Sequence, residues 1–206
     1  MIRTERHGSL GKLIISRPDK ANSLTADMLR QLTRALEDMA AQNCAALILT
    51  GEGRVFSAGA DLDEARAGLA TSPEWERLST RLASMPCLTI AALNGTLAGG
   101  AFGMALACDL RIAVPEARFF YPVMKLGFLP QPSDPRRLAG LIGPARAKMI
   151  LMGGQKIDAH EALNWGLIDR VLPAAELMAG AETLAGDCLA ADPGHVSAIK
   201  AMVGQL

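Results

Sequence analysis

The chain has 206 residues, of which 21 are lysine or arginine and 21 are aspartate or glutamate, so its formal net charge is zero. Half of the residues (50%) are hydrophobic, which is enough for a sizeable core and excludes a disordered or fibrous chain. Balanced charge without a long basic run argues against nucleic acid and anionic membranes as partners. The length predicts one domain, or one domain with an appendage.

The four cysteines indicate reduced, mostly buried thiols. Cys44, Cys87, Cys108 and Cys188 show no CxxC spacing and no histidine at ligand spacing, so neither a disulfide framework nor a metal site is expected. The charged N-terminus lacks a signal-peptide core, and we expect a cytoplasmic protein. The nearly charge-free segment 87–110 is long enough to span a membrane, but its β-branched start, turn and small-residue helix favour a buried core.

Hydrophobic periodicity predicts strands and helices in alternation over the first two-thirds of the chain. In chain order these are a hairpin at 2–6 and 12–16, a helix capped by Thr25, strands at 45–50 and 55–56, a helix from Pro73 to Met85, a strand at 88–93, a helix of small residues at 99–108, and strands at 110–114 and 118–121.

Helices dominate the remainder of the chain. They are predicted at 137–141, 145–152 and 158–165, followed by a short strand at 167–171 and a helical stretch from Ala175. Strand and helix patterns alternate without a low-complexity linker, which indicates an α/β organisation.

Two segments place small residues where helices begin. In 56–62, Ala58 and Gly59 allow a backbone to approach a ligand, and in 94–103 the pair Gly99–Gly100 does the same. The first N–H groups of a helix have no partner within the helix, so they are free to bind an anionic group. Two such donors stabilise a developing oxyanion by roughly 3–4 kcal/mol each. Tight packing of helix on strand explains the small residues equally well, and the spacing does not decide between them.

At these residues the chain resembles the enoyl-CoA hydratase/isomerase (crotonase) superfamily, and four motifs in order carry the resemblance over nearly the whole chain. They are Arg17–Leu24 (RPDKANSL), Gly51–Leu62 (GEGRVFSAGADL), Asn94–Gly100 (NGTLAGG) with Ala107–Asp109, and Gly154–Val171. The resemblance implies a crotonase-like spiral of ββα units over residues 1–136 that binds acyl-CoA. A short, truncated C-terminal helical region is expected at 137–206.

The resemblance also implies the binding residues. Two backbone N–H groups, those of Ala58 and Gly100, would hold the thioester carbonyl. The full substrate-binding set carried over is Lys20, Ala21, Leu24, Ala58, Gly59, Ala60, Asp61, Leu62 and Gly100. Residues 60–62 would line the adenine end of coenzyme A, which enters as part of the substrate, and the 20–24 loop would close over the nucleotide. No other cofactor and no metal is expected, and the family expectation is a homo-oligomer, a trimer being favoured.

The chain departs from the family at the positions that move protons. The two glutamates of a hydratase fall at Gly103 and Val123, neither of which can transfer a proton. Asp134 is the only carboxylate in the loop that would face the pocket, and it is a candidate catalytic residue and equally a good helix N-cap. Tyr121 is interpreted as a core residue with a hydrogen-bonded hydroxyl.

Three hypotheses remain open from these residues. Relocated chemistry would use Asp134, Ser133, Tyr121 or Gln131. Alternatively, an enolate reaction such as decarboxylation, or thioester hydrolysis by water, would need little more than the oxyanion donors. In the third hypothesis the chain is a catalytically silent acyl-CoA binder or an assembly subunit. We expect an acyl-CoA-processing lyase or isomerase that is not an efficient hydratase.

Overall fold

The chain forms two β-sheets, and most of its successive strands are added to the two sheets in turn. The computed structural model describes residues 1–204. One sheet has six strands in the order β1 (Ile2–His7), β2 (Leu10–Ile15), β3 (Ala46–Gly51), β5 (Leu88–Leu93), β7 (Leu110–Ala113) and β10 (Arg170–Val171). The other has four strands in the order β4 (Val55–Ser57), β6 (Thr96–Ala98), β8 (Arg118–Phe120) and β9 (Ile157–Asp158).

The helices lie between and after these strands. They are α1 (Ala26–Ala41), α2 (Leu62–Arg66), α3 (Glu74–Ala83), α4 (Phe102–Ala107), α5 (Val123–Leu126), α6 (Asp134–Ile142), α7 (Pro144–Leu151), α8 (Ala159–Trp165), α9 (Leu177–Ala190) and α10 (Pro193–Val203). Short 3₁₀ turns occupy Pro18–Lys20, Leu69–Thr71 and Gly99–Ala101.

Each repeating unit gives one strand to each sheet. The pairs β3–β4, β5–β6 and β7–β8 are consecutive in the chain, and within each pair the two strands belong to different sheets. All of these strands pair in parallel with the corresponding strand of the next unit. Helices follow each pair, so the chain winds as a spiral of ββα units, which confirms the predicted α/β, crotonase-like fold.

Local sequence explains the first of these elements. Thr25 accepts a hydrogen bond from the Met28 amide and so caps α1, as predicted. The apolar positions of α1 are buried against the sheet and α3. Strand β3 is buried along almost its whole length because it lies in the middle of a parallel sheet.

Other predicted elements differ from those observed. The helix expected at 99–108 begins as a 3₁₀ turn and continues as α4, because Gly99 has a φ of +57°, outside the α-helical region. The strand expected at 167–171 shrinks to β10, because the amides of Leu167 and Ile168 both donate to the carbonyl of Ala162 in α8. Helix α5 was not predicted.

The C-terminal region packs on the same sheets as the rest of the chain. Helix α9 contacts β3, β5 and β7, and β10 pairs with β7. The predicted division between residues 136 and 137 falls inside α6. The last two residues of the predicted C-terminal region, 205–206, lie outside the described residues.

The apolar segment 87–110 is part of the core. It contains β5, β6 and α4, and ends where β7 begins. Every helix within residues 1–204 is too short or too polar to cross a membrane.

Candidate functional site

The two small-residue segments lie side by side at one edge of the four-stranded sheet. Strand β4 pairs in parallel with β6, with Ser57 opposite Leu97. Because the carboxyl ends of parallel strands meet at the same edge, residues 58–61 and the Gly99–Ala101 turn are neighbours. Each segment then leads into a helix, α2 or α4.

Glycine permits the close approach of these two segments. A Cβ atom on Gly59 would lie 2.9 Å from the carbonyl oxygen of Ala98 and 3.3 Å from the amide nitrogen of Gly100. The φ of Gly59 is +92°, a conformation that residues with side chains rarely adopt. Only glycine fits at position 59, for both reasons.

The direction of the amides in the first segment follows from one parallel bridge. The amide of Leu24 donates to the carbonyl of Gly59 (2.8 Å), and the amide of Asp61 donates to the carbonyl of Leu24 (2.9 Å). Leu24 therefore bonds to the residues on both sides of Ala60, and the N–H of Ala60 points away from Leu24. This N–H has no acceptor within residues 1–204.

The prediction that Ala58 supplies the first oxyanion donor is wrong. Its amide donates to the carbonyl of Ala21 (3.0 Å), so it is already satisfied by the protein. The left-handed conformation of Gly59 reverses the backbone between positions 58 and 60, and the amide left unpaired is that of Ala60.

The second predicted donor is unpaired. Gly100 lies in the 3₁₀ turn that precedes α4, where the first amides have no partner within the helix. Its N–H has no acceptor in the described part of the chain. The ring of Trp75 lies against the same residue, since a Cβ atom on Gly100 would be 3.2 Å from three atoms of the indole. Sequence reasoning missed Trp75, whose signal was its place on the apolar face of a predicted helix.

Both segments line a cavity of about 150 Å³. Its wall also includes the aromatic residues Trp75, Phe120 and Tyr121, together with Val123 and Gln131. At its mouth Leu62 and Leu129 are largely exposed, at 74% and 88%. The cavity is thus apolar and rimmed by apolar side chains, with two unpaired amides in residues of its wall.

The structure brings only part of the predicted binding set to this cavity. Ala58, Ala60, Leu62 and Gly100 line it. Ala21 and Leu24 instead hold the 58–61 segment through backbone hydrogen bonds. Lys20 is exposed on the surface.

Asp61 has a structural role in this arrangement. Its carboxylate accepts hydrogen bonds from the first amides of α2 and pairs with Arg17 at 2.8 Å. The hydrogen bond from Arg17 is the main cause that lowers the pKa of Asp61.

Asp134 does not cap a helix. It is the first residue of α6 and is fully buried, and its side chain makes no cap bond to the helix. The hydroxyl of Tyr121 donates to Oδ2 of Asp134 (2.9 Å) instead. The cap interpretation is therefore wrong, whereas the prediction of a core tyrosine with a hydrogen-bonded hydroxyl is confirmed.

Gln131 and Asp134 together fill the space beside Gly103. A Cβ atom at Gly103 would lie 2.7 Å from Oε1 of Gln131 and 2.9 Å from Oδ1 of Asp134. Gln131 also donates from Nε2 to the carbonyl of Gly100 (3.0 Å), which ties this cluster to the turn that carries the second free amide. A carboxyl group from α6 thus reaches the position from which a hydratase glutamate would project.

Burial dominates the titration of this cluster. It raises the pKa of Asp134 to about 7, although the hydrogen bond from Tyr121 and the charge of Arg137 act in the opposite direction. Burial and the neighbouring Asp134 also raise the pKa of Tyr121, so the phenol is neutral. Next to this cluster, burial acts to raise the pKa of Glu76, but the hydrogen bonds from Ser133 and Thr80 and the charge of Arg137 together lower it.

The cavity wall holds little that can move a proton. Tyr121 is the one titratable residue among those that line it in the described structure, and Asp134 lies behind it, hydrogen-bonded to the Tyr121 hydroxyl. The arrangement is suited to accept negative charge on a bound oxygen atom. It presents no carboxylate to a water molecule.

A larger cavity of about 870 Å³ lies elsewhere, between α3, α9 and α10. None of the predicted site residues lines it. Residues 1–204 contain no group of three or more histidine, cysteine or acidic side chains that could hold a metal ion.

Comparison with known proteins identifies the family to which this fold and site belong. Residues 5–205 match the family described as enoyl-CoA hydratase/isomerase. YngF of Bacillus subtilis (strain 168), whose name carries that description, is 37% identical over 198 residues, which cover 92% of this chain and 76% of YngF. The 4-chlorobenzoyl coenzyme A dehalogenase-2 of Arthrobacter sp is 32% identical over 208 residues, 96% of this chain and 75% of the dehalogenase.

Solved structures agree with the sequence match. The crystal structure of enoyl-CoA hydratase from Bacillus anthracis has a TM-score of 0.92 at 31% identity, and the match covers 99% of this chain and 82% of that one. The chain belongs to the enoyl-CoA hydratase/isomerase family, whose members act on acyl-CoA substrates.

Proposed function

We propose that this protein binds an acyl-CoA thioester and stabilises its enolate with the backbone amides of Ala60 and Gly100. The observation that supports this most directly is the pair of unpaired amides in two glycine-containing segments that contact each other and line one cavity. Ala60 replaces Ala58 in the predicted pair. Gly100 keeps its predicted role.

The chemistry requires donors of this kind. When negative charge develops at the carbon next to a thioester carbonyl, it is delocalised onto the carbonyl oxygen. Two fixed N–H groups that bind this oxygen stabilise the enolate more strongly than the neutral thioester, which lowers the barrier to its formation. The wall of the cavity is largely apolar, and a bound acyl group that displaces water from it would strengthen both hydrogen bonds.

The size of the cavity favours a short acyl group. Its volume of about 150 Å³ is well below the roughly 300–1,000 Å³ of pockets that enclose drug-sized ligands. The long pantetheine and nucleotide of coenzyme A would then lie outside it, near Ala60–Leu62 and the Lys20–Leu24 loop.

Efficient hydration is not expected from this cavity. Addition of water to an enoyl-CoA needs a group that removes a proton from water. The wall offers a neutral phenol and Val123 instead of a carboxylate, and the other expected glutamate position is Gly103. An enolate that arises without a base suits the site better. Decarboxylation of a malonyl-type thioester is such a reaction, because loss of CO₂ leaves the electron pair on the α-carbon.

Deuterium exchange tests enolate formation irrespective of the final product. Purified protein is incubated in D₂O with butyryl-CoA and a fixed concentration of acetate, which is the base that removes the α-proton because the cavity wall offers none. The enolate then takes up deuterium from the solvent, and incorporation at the α-carbon is followed by mass spectrometry. A panel of crotonyl-CoA, malonyl-CoA and acetoacetyl-CoA is assayed for turnover in parallel. We expect α-exchange and slow or no hydration of crotonyl-CoA, and rapid hydration would overturn the proposal.

Gly100→Ala provides the matched test of the donor. The new methyl group would press on Trp75 and displace the Gly100 amide, and we expect a roughly 10²–10³-fold loss of exchange. Gly140→Ala on α6 is the control, since a Cβ atom there meets nothing within 4 Å.

A second candidate function, silent binding of acyl-CoA, is favoured by the lack of a carboxylate among the residues that line the cavity. It predicts that butyryl-CoA binds, as measured by calorimetry, while neither exchange nor turnover of the panel occurs. The homo-oligomer, with a trimer favoured, is a separate proposal. Light scattering that gives the mass of a monomer would contradict it.

A further inference from the structure

Two buried oxygen atoms beside Gly103 lack a hydrogen-bond donor. They are Oδ1 of Asp134 and Oε1 of Gln131, and neither has a partner within residues 1–204. Both lie within 2.9 Å of the point where a Cβ atom of Gly103 would be. An ionised carboxylate and an amide oxygen are both acceptors only, so two such atoms buried against one point are unfavourable unless a proton is present.

Rotation of the Gln131 amide does not remove the conflict. In the observed orientation Nε2 donates to the carbonyl of Gly100 (3.0 Å). Exchanging Nε2 and Oε1 would turn a donor toward the space beside Gly103 but would place Oε1 against the carbonyl oxygen of Gly100, another acceptor. The orientation of Gln131 is therefore fixed by Gly100, and the proton has to come from Asp134.

We propose that Asp134 carries a proton on Oδ1 at neutral pH and donates it to Oε1 of Gln131, which makes Asp134 a positioning residue for the Gly100 turn. The hydrogen bonds then form a continuous chain. Tyr121 donates to Oδ2 of Asp134, Oδ1 of Asp134 donates to Gln131, and Nε2 of Gln131 donates to the Gly100 carbonyl. Each side-chain oxygen and nitrogen in this series of hydrogen bonds then has a partner.

The groups around Asp134 are consistent with a neutral carboxyl. It is fully buried, with Tyr121 facing it from the end of β8, Arg137 on its own helix α6, and Glu76 on α3. Helix α4 faces it with Gly103, which brings no charge. Burial is the largest cause that raises the pKa of Asp134, to about 7, and Glu76 acts in the same direction, whereas Tyr121 and Arg137 oppose them.

The proton has a consequence for the site, which rests on the function proposed above. Loss of the proton places a buried negative charge behind the cavity wall and removes the donor that orients Gln131. Both changes disfavour negative charge on a thioester oxygen at Gly100. Enolate formation is therefore expected to decline as the pH rises above about 7.

The protonation state is measured without a ligand. The side-chain carboxyl carbons of aspartate are titrated by ¹³C NMR in the full chain, and the Asp134 signal is assigned by its loss in Asp134→Asn. We expect a midpoint near 7, and a midpoint near the ordinary value of about 3.9 would overturn the proposal. Tyr121→Phe gives a second test that does not alter Asp134. Removing the donor to Oδ2 should move the midpoint upward. An unchanged or lower midpoint would contradict the proposed series of hydrogen bonds.

The positioning role is measured by the pH profile of α-exchange with butyryl-CoA. For the native protein we expect the rate to fall by about tenfold per pH unit above the midpoint. In Asp134→Asn the amide donates to Gln131 at every pH, so the profile should be flat between pH 6 and 8.5. Asp158→Asn, at an exposed cap of α8, should keep the native profile. An equal decline in all three proteins contradicts the role of Asp134. If no protein shows exchange, the proposed function fails, while the NMR midpoint still decides the protonation of Asp134.

Discussion

The two sides of the cavity are built in different ways. The amide side consists of residues 58–61 and the Gly99–Ala101 turn, where the groups proposed to bind the substrate are backbone amides and Gly59 sets the direction of the first of them. The opposite side is made of side chains, namely Tyr121 with Gln131 and Asp134 behind it, which come from segments after β8. One side therefore depends on backbone conformation and backbone hydrogen bonds, and the other on the packing of side chains.

The difference shows which side of the cavity is sterically constrained. The amide side has little freedom, since a Cβ atom on Gly59 would meet the backbone of the neighbouring segment. On the other side, a carboxyl from α6 occupies the space that a side chain at Gly103 would need. The amide side is thus sterically fixed, whereas the other side is built from side chains that pack around Gly103.

Breaking the amide side should have the largest effect. Gly59→Ala forces a side chain into a left-handed conformation and against the Ala98 carbonyl, which costs about 1–3 kcal/mol of stability. It also turns the Ala60 amide away, so we expect a roughly 10²–10³-fold loss of α-exchange. Exchange and urea denaturation measure the two effects. Gly8→Ala also forces a side chain into a left-handed conformation, but its Cβ atom meets no neighbouring atom. This variant should therefore lose stability while its exchange rate stays unchanged. Native exchange rates in Gly59→Ala would contradict the assignment of Ala60.

On the opposite side of the cavity, Asp134 should make the free energy of unfolding depend on pH. Between pH 4 and 7 the unfolded chain has released the proton of Asp134, whereas the folded chain retains it, so the free energy of unfolding falls as the pH rises. The raised pKa corresponds to about 4 kcal/mol over this interval. Urea denaturation of the native protein and of Asp134→Asn at several pH values isolates this contribution. Parallel curves for the two proteins would show that Asp134 titrates normally.

Gly103→Ala tests the contact between α4 and α6. Its methyl group would displace Gln131 and Asp134, at an expected cost of about 1–3 kcal/mol. Because the displaced atoms are ends of side chains, the cost should shrink when Asp134→Ala is also present. A double-mutant cycle by denaturation measures this coupling. Strict additivity of the two changes would place the two residues out of contact.

The smallest effect is expected where Arg17 supports the amide side from outside. Arg17→Met removes the partly buried ion pair with Asp61 and should cost about 1 kcal/mol at pH 7. Since Arg17 lowers the pKa of Asp61, this contribution is present above the ordinary pKa and is lost as the pH falls through the lowered one. Thermal denaturation at pH 7 and pH 3 measures it. Arg66→Met, whose ion pair with Asp63 is exposed, should have no measurable effect, and equal losses in both variants would contradict a special role for Arg17.

Much of the fold could be predicted because it depends on local patterns. The apolar run of β3, the Thr25 cap and the small residues before α4 each specify their element from a few neighbouring positions. The local pattern drew attention to Gly99–Gly100, and the resemblance to the family singled out Gly100 as a donor. The 58–61 segment shows the limit of such prediction. Its motif was recognised, but which amide is free depends on the hydrogen bonds to Ala21 and Leu24, more than thirty residues away.

The sequence by itself determined the family, the order of the ββα units and the two glycine-containing segments, because these depend on residue types at fixed spacing. It also showed that Gly103 and Val123 cannot transfer protons. Only the tertiary structure decided that Ala60 presents the free amide, and that Asp134 bonds to Tyr121 instead of capping α6. The direction of an amide and the partner of a carboxyl are set by segments that meet only when the sheets and helices pack.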